Sequence, residues 1–450
     1  MPLVPSRIRT GFQFSLVTVA CFGCSGSEAN HLEAANRYFT ERQYSKAVAE
    51  YSAAPALVAK NPAAGRQLGL SYNALGEWAQ AIKYLEPTRV SAPLDTTVRL
   101  ALGGAYLALA RWDDATHEAD AIMKTAPNNL TALNLAGSAY LGKGQPEKAL
   151  PYYRQIARIA PGDPRGKYLV GMGLQAQGDT KGAAAQFEAA IAQLPTYLDP
   201  LTQIVTADLV QKRSGDALAR VQQQIKVVGD SAALHELLAL IHIARNEQGL
   251  AETTLLETMK LSPKYLDPYV RLSELYRSQG KYDDAIAIAA KALQLDPKNL
   301  SVRLVLGVSY EAKGDTTAAV KTYEDGLAVN PRFAAAANNL AALLAESGGD
   351  MDRALHAAES ARAAEPNNPA ILDTFGWVLF KRGDNVNAVR ALSEAASRMP
   401  AQPTVAYHLG VAQAKGGDAA GARKSLRQAL SSSAPFPERS MAQIALSALK

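Results

Sequence analysis

The sequence is poor in cysteine, in aromatic residues and in long apolar segments, and each shortage excludes a class of protein. Its two cysteines are Cys21 and Cys24, so the later part of the 450 residues has no thiol for a redox centre or a cysteine-ligated zinc site. No segment after these cysteines is apolar for long enough to span a bilayer. Only 7% of the residues are aromatic although 48% are hydrophobic, which indicates that alanine fills many helix contacts.

The charge of the chain is also small, at +5 for 450 residues. Lysine and arginine are spread among aspartate and glutamate instead of forming a patch, so nucleic-acid binding is not predicted. The composition does not change along the chain in a way that would mark a domain boundary.

A repeat with a period of 34 residues organises the chain after these first residues. An inserted residue, placed in the turn at residues 347–350, interrupts the period once, and Gly229 replaces the expected proline once. The recurring prolines are Pro93, Pro127, Pro161, Pro195, Pro263, Pro297, Pro331, Pro366 and Pro400. The recurring alanines are Ala81, Ala115, Ala149, Ala183, Ala217, Ala251, Ala285, Ala319, Ala354, Ala388 and Ala422.

Each period reads as two helices joined by a turn, because apolar residues recur at helical spacing and a glycine often separates the two halves. The alanine suits the point where the two helices cross, since a larger side chain would push them apart. A second small position lies in the first helix: Gly69, Gly103, Gly137, Gly171, Ser273, Gly307, Ala341, Gly376 and Gly410. A tyrosine often follows it by three residues, to fill the space between neighbouring repeats: Tyr72, Tyr106, Tyr140, Tyr276 and Tyr310.

This set of positions resembles the tetratricopeptide repeat family. The resemblance implies an all-α fold, a right-handed superhelical solenoid of about twelve helix-turn-helix repeats. We predict repeats 1–6 over residues 28–231, repeats 7–12 over residues 232–436 and a capping helix over residues 437–450. The inward face of this last helix is predicted to carry Met441, Ile444, Ala445 and Leu449.

Two repeats depart from the pattern. The first has about three extra residues around Pro55, which delay its closing proline. The repeat over residues 198–231 has Val205 at the small position and Asp208 at the tyrosine position. Because neighbouring repeats supply most of the stability of a repeat protein, this repeat is predicted to be a local weak point.

The N-terminal residues are predicted to be a signal peptide over residues 1–24, followed by a short tether over residues 25–30. Two arginines precede the apolar stretch at residues 11–22, and both cysteines lie at its end. The segment TVACFGCSGSEAN is similar to the lipobox of bacterial lipoproteins, which implies acylation of Cys24 or, as the second choice, Cys21. The protein would then be anchored in the cell envelope facing the periplasm, at the outer membrane rather than the inner. The alternative is that both are ordinary thiols of a cleaved signal peptide.

No catalytic, metal or cofactor site is predicted. The six histidines are spread along the chain, and although His235 and His242 could share a helical face, no cysteine or carboxylate completes a metal set. The segment GMGLQAQG at residues 171–178 has glycines as in a phosphate-binding loop, but the repeat explains both terminal glycines and no strand precedes them. We therefore predict that the protein is not an enzyme.

The predicted function is the binding of other proteins or peptides. In the family that the chain resembles, the first helix of each repeat lines a concave groove, and aromatic side chains beside amides are typical anchors for a peptide. The alternative is that Trp377 and Phe380 have a structural role only and pack against the adjacent repeat. The candidate groove residues are Asn338, Asn339, Asp373, Trp377, Phe380, Tyr407 and His408.

The C-terminal part, including residues 338–384 and 405–439, also resembles the long tetratricopeptide lipoproteins of exosortase (PEP-CTERM) and exopolysaccharide systems. That resemblance implies a scaffold for exopolysaccharide export or protein sorting. Two alternatives stay open: an assembly or pilotin-like subunit of a pilus or secretion machine, and a module that recruits substrate to a separate enzyme.

Overall fold

The structure is a computed structural model that describes residues 24–449, and all the regular elements in this range are helices. The predicted signal peptide, with Cys21, lies outside the described residues except for Cys24, where the first helix begins. The chain divides into two compact units, of which unit 1 ends at Ala207 and unit 2 begins at Asp208. None of the helices described is long and apolar enough to cross a membrane.

Unit 1 consists of five helix pairs, one additional short helix, α3, and most of α12. The division between the units falls inside α12, within the repeat that departs most from the pattern. The helices are α1 Cys24–Thr40, α2 Tyr44–Ala53, α3 Pro55–Lys60, α4 Pro62–Ala74, α5 Trp78–Ser91, α6 Thr96–Ala108, α7 Trp112–Met123, α8 Leu130–Gly142, α9 Pro146–Ile159, α10 Pro164–Gln177, α11 Thr180–Gln193 and α12 Asp199–Val210.

Unit 2 continues with the same alternation of first and second helices and ends in one further helix. Its helices are α13 Ser214–Val228, α14 Ala232–Ala244, α15 Gln248–Leu261, α16 Asp267–Ser278, α17 Tyr282–Leu295, α18 Leu300–Lys313, α19 Thr316–Val329, α20 Ala334–Glu346, α21 Met351–Ala364, α22 Pro369–Lys381, α23 Asn385–Arg398, α24 Pro403–Lys415, α25 Ala419–Ser431 and α26 Arg439–Ala448. The all-α fold of about twelve repeats with a C-terminal helix is therefore confirmed.

The recurring glycines lie where the helices of a pair approach each other, except Gly103, which faces Leu135 of the next repeat. All eleven recurring alanines are buried. At Gly69 a Cβ would lie 2.7 Å from the side chain of Leu85, and at Gly171 a Cβ would lie 2.5 Å from the ring of Phe187. Ser273 takes the small position of α16, and its hydroxyl donates to the carbonyl oxygen of Ala285 at 2.8 Å. The small residues therefore set the spacing of the two helices, as the sequence predicts.

The turn between the helices of each repeat contains one residue in the left-handed conformation. Glycine takes this position in eight repeats, because it has no Cβ to oppose a positive φ. Those glycines are Gly76, Gly144, Gly178, Gly280, Gly314, Gly348, Gly383 and Gly417, and the other four repeats use Arg42, Ala110, Lys212 and Asn246.

The inserted residue lies in the turn where the sequence places it. Gly314 and the capping Asp315 precede α19, whereas Gly348, Gly349 and the capping Asp350 precede α21. The extra residue is thus Gly349, and the length of the helices on either side is unchanged, since a loop accommodates an added residue more easily than a packed helix does.

The tyrosine that follows the small position bonds the preceding repeat at two positions, whereas Tyr72 and Tyr140 stack on Tyr84 and Tyr152 of their own repeat. The hydroxyl of Tyr106 in α6 donates to Glu86 in α5 at 2.6 Å, and that of Tyr276 in α16 donates to Glu252 in α15 at 2.9 Å. Burial raises the pKa of both phenols, and the accepting carboxylates raise the pKa further, so both stay protonated donors at neutral pH.

Three boundaries differ from the prediction. Residues 25–30, predicted as a tether, belong to α1, which begins at Cys24, because the alanine- and glutamate-rich stretch that follows favours a helix. The extra residues around Pro55 form the separate helix α3. The terminal helix is shorter than residues 437–450, since it begins at Arg439 and ends at Ala448.

The inward face of α26 also differs from the prediction. Met441 and Ile444 are 62% and 70% exposed, whereas Ala442 is fully buried. The face in contact with the core carries Ala442, together with the partly buried Leu446 and the predicted Ala445 and Leu449. The prediction for Met441 and Ile444 was wrong because hydrophobicity alone does not decide the rotation of a helix whose packing residue is a small alanine.

Candidate functional site

The predicted groove residues of repeats 11 and 12 form one cluster of rings in unit 2. Trp377 and Phe380 lie three residues apart on α22, so they share a helical face, and Tyr407 and His408 lie on α24. We call these four residues the aromatic cluster. The ring of Trp377 stacks on that of His408, with centroids 4.0 Å apart and planes 18° apart, and its centroid is 5.0 Å from that of Phe380. The sequence therefore identified residues that the fold brings together.

His408 is fixed by a carboxylate as well as by the indole. Its Nδ1 lies 3.0 Å and 3.1 Å from the two carboxylate oxygens of Asp373, which comes from α22. Both side chains are largely buried. Because one residue comes from each repeat, this contact joins repeats 11 and 12 and holds the imidazole parallel to Trp377.

Two charged residues that the sequence analysis did not single out complete the surroundings of Trp377. The indole N–H donates to Glu346 at the end of α20. The Nζ of Lys381 lies 5.0 Å from the centroid of the indole ring and 3.8 Å from the other carboxylate oxygen of Glu346. Lys381 follows Trp377 by four residues and so lies on the same helical face, which is the sequence signal that could have found it. No comparable signal marked Glu346.

Tyr407 connects the cluster to the last helix. Its hydroxyl donates to the sulfur of Met441 at 3.7 Å. Burial raises the pKa of Tyr407, and the negative charges of Glu438 and Glu346 add to this rise, so the phenol remains uncharged at neutral pH. The ring therefore offers an apolar face without a negative charge.

The two amides of the prediction lie on α20, beside α22. Both are half-buried. Asn339 hydrogen bonds Tyr323 of the preceding repeat. The Oδ1 of Asn338 is buried and has no hydrogen-bond donor among residues 24–449. The structure thus places the amides on the same run of first helices as the aromatic cluster, but not in direct contact with its rings.

The histidines that the sequence paired do not form a common site. His242 lies 2.7 Å from Glu247, and His235 lies 3.3 Å from Asp230. Over residues 24–449 no group of three or more histidine, cysteine, aspartate or glutamate side chains is placed to hold a metal ion. The glycines of GMGLQAQG have the roles that the repeat predicts, since Gly171 faces Phe187 and Gly178 ends α10 with a φ of 90°.

Comparison with known families agrees with this arrangement of helices. A family model described as tetratricopeptide repeat matches residues 276–344, and a second model of the same description matches residues 66–122, 100–164 and 374–438. Together the matches cover about half of the chain. The chain belongs to the tetratricopeptide repeat family. Tetratricopeptide repeats act as protein-interaction scaffolds.

Curated relatives match only in part. The BBSome complex member BBS4 homolog of Drosophila melanogaster is 28% identical over 140 residues, which are 31% of this chain and 29% of that protein. The peroxisomal targeting signal receptor of Komagataella phaffii is 35% identical over 79 residues, 18% of this chain and 13% of the receptor. Human anaphase-promoting complex subunit 7 is 26% identical over 164 residues, 36% of this chain and 29% of the subunit. The chain therefore spans less than a third of the length of these relatives.

Two solved structures are similar along most of the chain. The crystal structure of the APC/C hetero-tetramer Cut9-Hcn1 has a TM-score of 0.47 at 13% identity, covering 94% of this chain and 96% of that one. The crystal structure of the yeast Tom70 has a TM-score of 0.42 at 15% identity, with the same coverage of both chains.

Trp377 packs against the adjacent tetratricopeptide repeat, which agrees with the alternative given above. Trp377 is 8% exposed and belongs to the largest hydrophobic core of unit 2. Phe380 is half-buried and Lys381 is exposed, so these two residues, and not the indole, present most of the accessible surface of this part of α22. A partner at this part of the surface would thus contact Phe380 of the aromatic cluster and the adjacent Lys381, and Trp377 would lie beneath them.

Proposed function

We propose that the protein is a non-catalytic, lipid-anchored scaffold of the bacterial envelope, and that it binds a partner protein or peptide along the first helices α20, α22 and α24. The observation that carries this proposal is the aromatic cluster, which is built from two adjacent repeats and has an exposed lysine at its edge. A rigid aromatic floor beside adaptable polar side chains is the arrangement found at energetic centres of protein interfaces.

The chemistry of this surface favours an extended peptide segment. Phe380 offers an apolar contact, Lys381 offers a positive charge, and the half-buried Asn338 and Asn339 place amide groups on the neighbouring first helix α20. Because the rings are already stacked on one another, little conformational entropy is lost when a partner binds. The partner segment is therefore expected to bring an apolar side chain to Phe380 and a carboxylate to Lys381.

Site-specific photo-crosslinking tests this surface. A photoreactive amino acid at position 380 should capture a discrete partner, and replacing Lys381 with glutamate should lower the yield, because it reverses the charge that the partner meets. The matched control is position 386 on α23, where Val386 is 83% exposed but lies on a second helix. Equal yields at positions 380 and 386 would show that the first-helix surface is not the binding site.

The lipid anchor rests on the sequence around Cys21 and Cys24. Several acyl chains on one cysteine would hold the protein durably, since each buried methylene contributes about 0.8 kcal/mol. Replacing both cysteines with serine should move the protein from the membrane fraction to the soluble fraction. The two single variants identify the acylated residue, with Cys24 expected. If the double variant still sediments with membranes, the lipoprotein proposal fails.

The envelope role that we propose is support of exopolysaccharide export or protein sorting, and its basis is the resemblance of the C-terminal segment. Deletion of the gene should reduce the secreted polysaccharide or the sorted protein. Wild-type protein should restore it, whereas Phe380→Ala should restore it only in part. Full restoration by a variant that captures no partner would separate the envelope role from the binding surface.

A further inference from the structure

A cleft of about 540 Å³ lies in unit 1, between helices α2, α3, α4 and α5. It is distant in sequence from the aromatic cluster and is made of other repeats. Its volume falls within the range of roughly 300–1,000 Å³ that small-molecule sites occupy. The cleft therefore has the size of a ligand site, and its lining decides which ligand it fits.

The additional helix α3 forms one wall of the cleft. Elsewhere in unit 1 the second helix of a repeat is followed directly by the first helix of the next, but here the six residues from Pro55 to Lys60 lie between α2 and α4. The wall formed by α4 contains Gly65, where a Cβ would meet no atom within 4 Å. The interposed helix α3 and the glycine of α4 thus form two sides of this space.

The floor of the cleft is apolar. Val58 and Leu68 line it and are 7% and 2% exposed, and Tyr51 lines it with a fully buried side chain. The hydroxyl oxygen of Tyr51 lies within hydrogen-bond distance of the side-chain oxygens of Asn36 and Gln67, at 2.8 Å and 2.5 Å, so this residue presents its ring and not a free polar group to the cleft. Such a floor favours a hydrocarbon ligand.

The charge at the rim has one sign. Lys60 and Lys83 line the cleft and are exposed, and the set of lining residues contains no aspartate or glutamate. Lysine carries a point charge on a flexible side chain, whereas arginine binds an anion through two parallel hydrogen bonds. The lysine side chain therefore suits a single anionic group that remains in contact with solvent. An anion at the rim can keep part of its hydration, so its transfer is not opposed by the cost of burying a charge.

We propose that this cleft binds a small anionic amphiphile, a fatty-acid carboxylate. Its hydrocarbon chain lies against Val58 and Leu68, and its carboxylate lies between Lys60 and Lys83. The proposal does not depend on the aromatic cluster or on the lipid anchor. It assigns a binding site to the irregular first repeats, whose cleft has lysine as its only charged lining residue.

Isothermal titration calorimetry of octanoate, decanoate and dodecanoate into the full chain tests the proposal. The chain carries Cys21→Ser and Cys24→Ser, so that its own acylation does not interfere, and the ligands are kept below their micelle concentrations. Affinity should rise about fourfold for each added methylene that becomes buried. Dodecyltrimethylammonium has the same chain with a positive head, and it should bind far more weakly. Equal binding of the two heads, or no binding of dodecanoate, would overturn the proposal.

Variants locate the site. Gly65→Phe should abolish dodecanoate binding, because the added ring occupies the cleft. The matched control is Gly104→Phe, which lies in α6 where a Cβ also meets no atom within 4 Å but which does not line the cleft. Replacing Lys60 and Lys83 together with glutamine should weaken dodecanoate by about tenfold or more and remove the preference over the cationic amphiphile.

Folding is checked with circular dichroism, and Gly65→Ala provides a milder change in case the phenylalanine variant does not fold. Gly65→Ala should keep the fold and lower the affinity for dodecanoate more than that for octanoate, since it shortens the space for the chain. If a folded Gly65→Phe variant binds dodecanoate as the wild type does, the ligand lies elsewhere and the assignment of the cleft is refuted.

Discussion

The role of Trp377 can be tested by measuring how much stability its side chain contributes. The indole stacks on His408 and Phe380 and is 8% exposed, so Trp377→Ala removes a side chain from the core that joins repeats 11 and 12. Truncating a buried aromatic to alanine typically costs 3–5 kcal/mol, of which each lost ring pair accounts for about 0.5–1.5 kcal/mol. The hydrogen bond to Glu346 adds little, because that carboxylate is 59% exposed and regains water. We expect Trp377→Ala to lower the free energy of unfolding by about 3–4 kcal/mol.

The assay is urea denaturation followed by far-ultraviolet circular dichroism. Because each repeat contacts mainly its neighbours, the loss should appear as earlier unfolding of part of the signal instead of a shift of the whole curve. Trp78→Ala is the matched control, since Trp78 is half-buried at the first position of α5 in unit 1. It should cost no more than about 2 kcal/mol. Trp377→Phe, which keeps a stacking ring, should fall between the two.

One result would refute the packing argument. This result is a smaller loss of stability in Trp377→Ala than in Trp78→Ala, together with loss of crosslinking at position 380. Trp377 would then be exposed in solution and would contact the partner directly. If stability falls as expected and capture by the folded Trp377→Phe variant is unchanged, Trp377 is the floor of the site and not its contact surface.

Three further predictions concern the repeat itself. Ala110→Gly should stabilise the protein by about 0.5–1 kcal/mol, because relief of the left-handed strain at its φ of 56° exceeds the entropic cost of ordering a glycine on folding. Gly144→Ala should lower the stability by the same amount. Thermal melting measures both changes. Gly171→Ala should cost about 1–3 kcal/mol in urea denaturation, since the new methyl meets Phe187, whereas Gly104→Ala, in open space, should gain about 0.5–1 kcal/mol. Burial raises the pKa of Tyr51 from 10.0 to about 12, so its contribution to stability is complete below pH 10 and is lost as the pH rises through 12; a pH series should show less of this loss in Tyr51→Phe.

The control outcomes for these predictions are specific. Destabilisation by Ala110→Gly would mean that the turn does not strain alanine. Equal costs at positions 171 and 104 would mean that helix propensity, and not the approach of the helices, decides the effect. An unchanged alkaline transition in Tyr51→Phe would mean that other buried tyrosines carry the whole dependence.

The helix pairs could be predicted from the sequence because their cause is local and steric. A small residue is needed wherever two helices of a hairpin cross, and the crossing recurs every 34 residues, so Gly171 and Ala183 reveal it without any knowledge of the fold. The turn glycines are visible for the same reason, as a positive φ restricts the residue at one position. Even the inserted Gly349 could be assigned to a turn, because the helices cannot absorb it.

The contacts between repeats could not be predicted with the same certainty. Trp377 and His408 are both apparent as candidates, but their stacking depends on how α22 and α24 lie against each other, which the period alone does not determine. The rotation of α26 was missed for a similar reason. The cleft beside α3 could not be seen at all, because three extra residues indicate an irregularity but not the space that it leaves open.

The repeat over residues 198–231 shows how a departure from the pattern should be interpreted. Asp208 stands where other repeats have a tyrosine, and this substitution predicts a weak repeat. Asp208 is nevertheless 2% exposed and paired with Arg213 at 2.5 Å and Arg220 at 3.3 Å. A buried carboxylate without its partners would cost about 3–5 kcal/mol, so the two arginines are what make the substitution tolerable. Both follow Asp208 within one helical hairpin and were visible in the sequence. A residue that departs from the repeat pattern should therefore be judged together with the charged residues of the same hairpin. Here the compensating residues, Arg213 and Arg220, lie in the same hairpin as Asp208.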